Sequence, residues 1–345
     1  MAGITDIKIG ALGARLWDFR KVLNYIGIKL ASRFKWKKVP FLPVAIDIEP
    51  NNTCNFECPH CQVTHWSKPS FYLDEKGFAR ILDQFPNLVR VKLQGMGEPL
   101  LNSNLFAMLE AGEKRGAAMS FFTNGSICTQ KIADRLVRLS NTQIAFSIDG
   151  ATPEVFEKIR VGGRFSKVLE NIERLIRTRV GKKQPEIVGW TVVTRDNVHE
   201  LPAIVRLAKQ LGLDQLTVQT FLSNWGKKSM ESFTDSIKVE TVSERFGKSI
   251  EEAKQAAAEC GLAVTVTYHD RYSRKRKCAW PWTSAYIAAN GDVVPCCILA
   301  DSETVKMGNV FENDFIEIWN SRVYRDFRER IRKHDLPDYC KNCYE

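Results

Sequence analysis

The sequence lacks the features that mark membrane-spanning, secreted or low-complexity proteins. No stretch approaches about 18 consecutive apolar residues, so a transmembrane helix is not expected. The first residues, MAGITDIKIG, lack a charged region followed by an apolar core, so secretion is not expected. Thirteen prolines and 21 glycines among 345 residues exclude collagen-like character. The 44% hydrophobic and 26% charged content is typical of a globular protein, which we expect to be cytoplasmic.

Acidic residues are scarce near the N-terminus, where the positive charge is concentrated. The first 40 residues hold nine Lys or Arg and two Asp, which gives +7 of the total +10. The rest of the chain is nearly neutral and does not interleave basic and aromatic residues, so nucleic-acid binding is not expected. Within the first 40 residues, apolar side chains recur at the spacing of one helix face: Leu12, Leu16, Phe19, Leu23, Ile26 and Leu30.

Residues 1–43 are therefore predicted to contain a basic amphipathic helix. We expect its apolar stripe to pack on the body of the protein while its charges are solvated. The alternative is that residues 8–38 lie on an anionic membrane surface, which would make the protein peripheral at the inner face of the membrane.

From residue 44 onward, short apolar strands alternate with amphipathic helices. Alternation of this kind predicts a parallel sheet with right-handed crossovers, whose active site lies at the carboxyl ends of the strands. About six strand–helix units over residues 44–270 favour an α/β fold, a partial TIM-like (β/α)6 barrel, over a closed eight-stranded one. Strands are predicted at 44–48, 88–93, 117–122, 143–148, 186–193, 215–220 and 262–267.

The segment 271–345 breaks this alternation. Residues 286–295 predict a hairpin that turns at Asn290-Gly291, and a helix is predicted over 314–333. The segment is rich in cysteine and has too few apolar residues for a core of its own, so we expect it to need a metal centre in order to fold.

Cys54, Cys58 and Cys61 follow the first predicted strand on one short loop. Ten cysteines in a chain without a secretion signal favour metal or redox chemistry over disulfides. A four-iron cluster normally takes four cysteine thiolates, so three would leave one iron open to a substrate or cofactor. A structural zinc site that takes a fourth ligand from elsewhere is the alternative.

The spacing Cys54-x3-Cys58-x2-Cys61 resembles the signature of radical S-adenosylmethionine (SAM) enzymes. Three further elements at strand ends resemble motifs of that family: Gly95-Met96-Gly97-Glu98-Pro99, Thr123-Asn124-Gly125, and Ser147-Ile148-Asp149-Gly150 with Arg160. The resemblance implies that the three cysteines hold a catalytic [4Fe-4S] cluster whose open iron binds SAM. It also implies a set of cofactor-binding residues: His60, Gly95, Gly97, Glu98, Pro99, Thr123, Asn124, Ser147, Asp149 and Arg160.

The chemistry of these residues suits such contacts. Glycines let the backbone approach a ligand closely, and the 95–99 loop would face the SAM amino group. Ser147 and Asp149 can bond ribose hydroxyls, and Arg160 can form a bidentate pair with the SAM carboxylate. Cys128 follows the third strand and would be able to donate a hydrogen atom, but we expect a small buried apolar side chain.

The C-terminal cysteines resemble those of a SPASM-type extension, and more narrowly its shortened twitch version. Four ligands are enough for one closed cluster. The resemblance implies an auxiliary [4Fe-4S] cluster on Cys278, Cys296, Cys340 and Cys343, with Cys297 as the alternative to Cys296. A four-cysteine zinc site is also compatible with the spacing.

The resemblance implies an enzyme that reductively cleaves SAM to a 5′-deoxyadenosyl radical, which abstracts a substrate hydrogen atom, with flavodoxin or ferredoxin as electron donor. We expect oxidation or epimerisation of a small-molecule substrate, either of sugar or cyclitol type or lipid-linked. Only 43 residues precede the first strand, whereas peptide-modifying relatives often carry a larger leader-binding domain there. A peptide-modifying maturase and a non-catalytic iron–sulfur electron carrier are the alternatives.

Overall fold

A computed structural model describes residues 19–240, 243–267, 275 and 277–344. Within these residues, ten strands form one sheet. The strands are β1 (Ala45–Ile48), β2 (Arg90–Leu93), β3 (Ala118–Thr123), β4 (Thr142–Ser147), β5 (Glu186–Val192), β6 (Gln215–Gln219), β7 (Ala263–Thr267), β8 (Ser284–Ile287), β9 (Asp292–Val294) and β10 (Gly308–Asn309).

Helices connect the parallel strands and flank the C-terminal hairpin. In the described residues they are α1 (Phe19–Phe34), α2 (Glu75–Asp83), α3 (Leu105–Lys114), α4 (Gln130–Leu136), α5 (Pro153–Ile159), α6 (Phe165–Thr178), α7 (Leu201–Gln210), α8 (Glu231–Ile237), α9 (Glu244–Cys260), α10 (Trp280–Thr283), α11 (Phe315–Trp319), α12 (Arg322–Lys333) and α13 (Asp338–Lys341).

The strand order is β10-β9-β8-β1-β2-β3-β4-β5-β6-β7, and β1 to β7 run parallel to their neighbours. Each crossover between successive strands of this set contains at least one helix, as right-handed strand–helix units require. The predicted α/β fold, a partial TIM-like barrel, is confirmed. The register sets Asp47 between Lys92 of β2 and Tyr286 of β8, so polar side chains occupy the centre of the sheet.

The C-terminal segment is joined to the barrel and shares its core. The predicted hairpin is present as antiparallel β8 and β9, but β8 also pairs in parallel with β1 and extends the barrel sheet. Trp282 and Trp319 are fully buried in the main core, and their indole N–H groups donate to the carbonyls of Trp36 and Phe41. We expected this segment to need a metal centre because it has too few apolar residues for a core of its own. The structure shows that it packs into the core of the barrel instead.

The helix predicted over 314–333 is two helices. Its break lies at Ser321, whose hydroxyl accepts from the Tyr324 amide and caps the start of α12. A serine at this position satisfies an amide that a continuous helix would bond internally, so it favours a new helix start.

Helix α1 presents its apolar stripe to solvent, so the expectation that the stripe packs on the body is wrong for the described part. Phe19 is 71% exposed and Leu30 is 43% exposed, whereas the opposite face is buried. Asn24 selects that face by exchanging two hydrogen bonds with the backbone of Leu42, at 2.7 and 3.1 Å. Leu12 and Leu16 lie outside the described residues. No helix in the described part of the chain combines the length and apolar character that a membrane span requires.

Candidate active site

The three clustered thiols lie on the loop that leaves the carboxyl end of β1. The Cys61 amide donates to the Cys58 carbonyl at 2.9 Å, and the Phe56 amide donates to the Cys54 sulfur at 3.4 Å. Burial, and then repulsion from the other two thiols, raises the pKa of Cys61 to about 12. Protein groups alone would therefore keep this thiol protonated, and a bound metal centre supplies the positive charge that favours thiolate.

The surroundings of the triplet fit a group larger than one metal ion. No three His, Cys, Asp or Glu side chains in the described residues converge tightly enough for a single ion. A zinc ion requires sulfur ligands about 2.3 Å from the metal, so the geometry favours thiolates spread around a cluster. The Asn51 Oδ1, Thr53 Oγ1 and Gln62 Oε1 atoms beside the triplet are buried without a described hydrogen-bond partner.

Glu98 links the loops that follow β2 and β3. It is 2% exposed, and its carboxylate accepts from the Thr123 hydroxyl at 2.8 Å, the Asn124 amide at 2.7 Å and the Leu100 amide at 3.1 Å. Burial raises its pKa to about 7. The Asn124 side chain points at the Cys54 sulfur at 3.9 Å. Glu98 therefore holds Thr123 and Asn124 in place, and Asn124 in turn contacts the triplet loop at Cys54.

Arg160 forms an ion pair with Asp149 that the sequence reasoning did not include. Its Nε and Nη2 atoms both lie 2.5 Å from Asp149 Oδ2, and its Nη1 atom lies 3.9 Å from the Cys58 sulfur. The other Asp149 oxygen accepts from the Val192 amide at 2.7 Å. In the described structure Arg160 is thus paired with Asp149 through one carboxylate oxygen, and the contacts predicted for these two residues with SAM stay predictions. Asp149 and Arg160 fix each other beside the triplet.

A cavity of about 200 Å³ opens at the carboxyl ends of the strands, next to the triplet. Cys61, His60, Gly95, Gly97, Ser147 and Arg160 line it, together with barrel-interior side chains. The other predicted cofactor-binding residues, Glu98, Pro99, Thr123, Asn124 and Asp149, are not among its lining residues. Burial lowers the pKa of His60 to about 4, so its ring is neutral near pH 7.

Glu49 is a site residue that the sequence reasoning missed. It follows β1, is 4% exposed, and accepts from the Met96 amide at 3.0 Å, the Tyr286 hydroxyl at 3.1 Å and the Ala289 amide at 3.1 Å. A Cβ on Gly95 would lie 2.3 Å from Glu49 Cγ, so this loop needs a glycine there. The alternation of Ile46, Asp47, Ile48 and Glu49 was the available signal, because it puts both acids on one face.

The structure brings Cys278, Cys296, Cys340 and Cys343 together around a second, small cavity of about 30 Å³. Burial, and then repulsion from Cys343 and Cys278, raises the pKa of Cys296. Cys297 does not line this cavity. Its side chain lines the large cavity and hydrogen-bonds Asp47. The geometry thus groups Cys296, and not Cys297, with the other three thiols.

Cys128 does not reach the large cavity. It has no exposed surface and lies in the main hydrophobic core, as expected for a small apolar side chain. Burial raises the pKa of its thiol to about 11.

Comparison with known families agrees with both sites. Residues 48–216 match the profile of the radical SAM superfamily, and residues 278–344 match SPASM, an iron–sulfur cluster-binding domain. The first match contains the thiol triplet and every cofactor-binding position predicted from the sequence. The second contains the four thiols of the small cavity.

Similar proteins cover most of the chain. A tungsten-containing aldehyde ferredoxin oxidoreductase cofactor-modifying protein of Pyrococcus furiosus is 28% identical over 86% of this chain and 86% of its own length. The PqqA peptide cyclase of Gluconobacter oxydans is 24% identical over 88% of this chain and 84% of its own. Streptococcus suis SuiB, solved with its precursor peptide SuiA, has the same fold, with a TM-score of 0.68 at 16% identity over 89% of this chain and 71% of SuiB.

Proposed function

The chain belongs to the radical SAM superfamily and carries a C-terminal SPASM domain, and from this premise we propose that it is an enzyme that modifies a peptide. The radical SAM domain implies a [4Fe-4S] cluster and SAM, and the SPASM domain implies auxiliary iron–sulfur binding. Cys54, Cys58 and Cys61 would hold the first cluster. Cys278, Cys296, Cys340 and Cys343 would hold the auxiliary one.

The observation that carries the proposal is that Cys61 of the triplet and the barrel-interior side chains line one cavity. Cys61 and the Gly95–Gly97 loop form one wall, and Trp190 and Gln219 of β5 and β6 form another. When bound, the cluster and SAM supply a 5′-deoxyadenosyl radical, which removes a hydrogen atom from a substrate. A substrate between these walls would lie beside that radical. A simple electron carrier needs no such chamber.

The side chains around the cavity have roles that follow from their contacts. Gly95 and Gly97 let the loop backbone approach SAM. Arg160, held by Asp149, keeps positive charge 3.9 Å from the Cys58 sulfur and favours its thiolate. The aromatic wall of the barrel excludes water from the reacting atoms, which protects a radical from side reactions.

A peptide substrate is supported by the relatives. The Gluconobacter protein is named a peptide cyclase, and SuiB was solved with its precursor peptide. The sugar, cyclitol or lipid-linked substrate expected from the sequence finds no support in these similarities. The Pyrococcus relative is named as cofactor-modifying, so a non-peptide substrate is the competing outcome that the experiment must detect.

The test is to measure 5′-deoxyadenosine by mass spectrometry after anaerobic cluster reconstitution, dithionite reduction and addition of SAM. Host-cell extract is added as separate peptide, polar small-molecule and lipid fractions. We expect the peptide fraction to raise the amount of 5′-deoxyadenosine well above the amount formed without substrate. Cys58→Ala should abolish its formation, whereas Cys260→Ala, a cysteine outside both groups, should not.

The outcomes separate the two parts of the proposal. Stimulation by the polar or lipid fraction alone would refute the peptide substrate and leave the SAM chemistry standing. If protein with an intact cluster spectrum formed no 5′-deoxyadenosine, the assignment as an enzyme would be refuted. The alternative of a non-catalytic electron carrier would then replace it.

A further inference from the structure

Lys92 is a charged residue of the cavity to which the proposed chemistry assigns no role. It lies on β2, and its side chain lines the cavity. Its Nζ atom lies 4.4 Å from the ring centroid of Phe122 and 5.9 Å from that of Trp190. The ammonium group is thus held between aromatic rings inside the barrel, and it faces the space where a substrate would bind.

The ammonium of Lys92 has no oxygen partner among the described residues. Asp47 is its register neighbour on β1, yet no carboxylate of the described residues lies within 4.0 Å of its Nζ atom. Asp47 instead hydrogen-bonds Cys297. Burial lowers the pKa of Lys92, and Asp47 offsets this only in part. A desolvated cation is costly when the nearest carboxylate compensates it only in part, and a bound anion would lower that cost.

The basic side chains that line the cavity beside Lys92 are Arg160 and His60, and neither offers a free positive charge. The guanidinium of Arg160 is paired with Asp149, and the ring of His60 is neutral. Among the described residues that line the cavity, one available positive charge with aromatic walls matches a singly charged carboxylate. It does not match a phosphate, whose greater charge and three oxygens need more donors.

We propose that Lys92 binds a carboxylate of the substrate, so that the modified peptide presents an aspartate or glutamate side chain to the cavity. This inference rests on the proposed peptide-modifying function and names the substrate class. The methylene groups of the acidic side chain would pack on Phe122 and Trp190, while its carboxylate accepts from Nζ of Lys92. Lys92 then decides which residue of the peptide lies beside SAM.

The experiment starts from a library of randomised 12-residue peptides that are amidated at the C-terminus. Peptides that bind the reconstituted enzyme in the presence of SAM are selected and sequenced. Amidation leaves side chains as the source of carboxylate. Four proteins are compared: wild type, Lys92→Met, Lys92→Arg, and Lys248→Met, in which an exposed lysine of α9 is removed with the same change in charge. Calorimetry with butyrate and the neutral butyramide measures the carboxylate preference without any peptide, and thermal unfolding checks that each variant folds.

The expected result is enrichment of Asp and Glu by wild type, Lys92→Arg and Lys248→Met, and its loss in Lys92→Met. A charge-assisted hydrogen bond corresponds to roughly tenfold or more in butyrate affinity. Acid enrichment that survives in Lys92→Met, or wild type that prefers neither acids nor butyrate, would overturn the inference. Butyrate binding that depends on Lys92, without retention of any peptide, would support the carboxylate site and refute the peptide substrate. Formation of 5′-deoxyadenosine reports on the radical chemistry separately.

Discussion

Replacing Gly97 by alanine tests whether the loop after β2 must approach its neighbours as closely as the structure shows. A Cβ at this position would lie 2.3 Å from the Asn51 carbonyl oxygen and 2.7 Å from the Thr53 carbonyl oxygen. Both are backbone atoms, so neither can rotate away as a side chain would. The Glu98 amide also donates to the Thr53 oxygen at 2.9 Å, which ties the two segments together.

The size of the effect follows from this overlap. Forcing a methyl group into a packed site costs about 1–3 kcal/mol, and here the strain falls on the loop that we propose faces SAM. If the free loop shifts to relieve the overlap, SAM binding must reverse the shift, and affinity falls by roughly 5- to 150-fold. Gly247 provides the matched control, because its Cβ would meet nothing within 4 Å inside α9. Gly247→Ala should stabilise the protein by about 0.5–1 kcal/mol.

The assay is calorimetric titration of SAM into the reconstituted proteins, with thermal unfolding followed in parallel. Gly97→Ala should bind SAM more weakly than wild type, and Gly247→Ala should bind it equally well. If Gly97→Ala matched wild type in both affinity and unfolding temperature, the close approach of this loop to Asn51 and Thr53 would be wrong.

Three further variants test the contacts around both cavities. Glu49→Gln should lower the free energy of unfolding by about 1–3 kcal/mol in denaturant titrations, because the buried Ala289 amide loses its acceptor. The control is Glu57→Gln at an exposed position, which should change the free energy of unfolding by less than about 0.5 kcal/mol. Equal values for the pair would contradict the buried network. Arg160→Gln strands a buried carboxylate and should cost about 3–5 kcal/mol in the same titrations; a near-neutral result would argue against that ion pair. Cys296→Ala should lower bound iron from about eight to about four per chain, and Cys297→Ala should leave it unchanged; the reverse would exchange their roles.

The sequence predicted the barrel and the clustered thiols well, because both are local signals. Alternating apolar segments and the spacing of Cys54, Cys58 and Cys61 are legible without knowledge of tertiary contacts. The ion pair between Arg160 and Asp149 was not, because the sequence does not show that these two side chains come within contact distance. Asp149 and Arg160 both belong to the motif found in the sequence, yet only the tertiary structure shows that they pair.

The face of α1 also escaped prediction. Periodicity identifies an apolar stripe but does not say which side of a helix meets the barrel. Here the small side of the helix is buried, where Gly27 lies so close to Phe41 that a Cβ would come within 2.5 Å of its ring. Close packing and the Asn24 hydrogen bonds to Leu42 outweigh burial of the larger side chains.

The opposite orientations of Cys296 and Cys297 have a consequence for how the gene can vary. One peptide bond separates the thiol that belongs to the small cavity from the thiol that belongs to the large one. Inserting one residue between the β8–β9 hairpin and this pair would move Cys296 to the position of Cys297, and deleting one would move Cys297 to the position of Cys296. Either change would alter which thiol faces each cavity, so the number of residues before this pair is itself a functional constraint. Lineages of this protein should therefore accept substitutions around this dipeptide far more readily than they accept insertions or deletions.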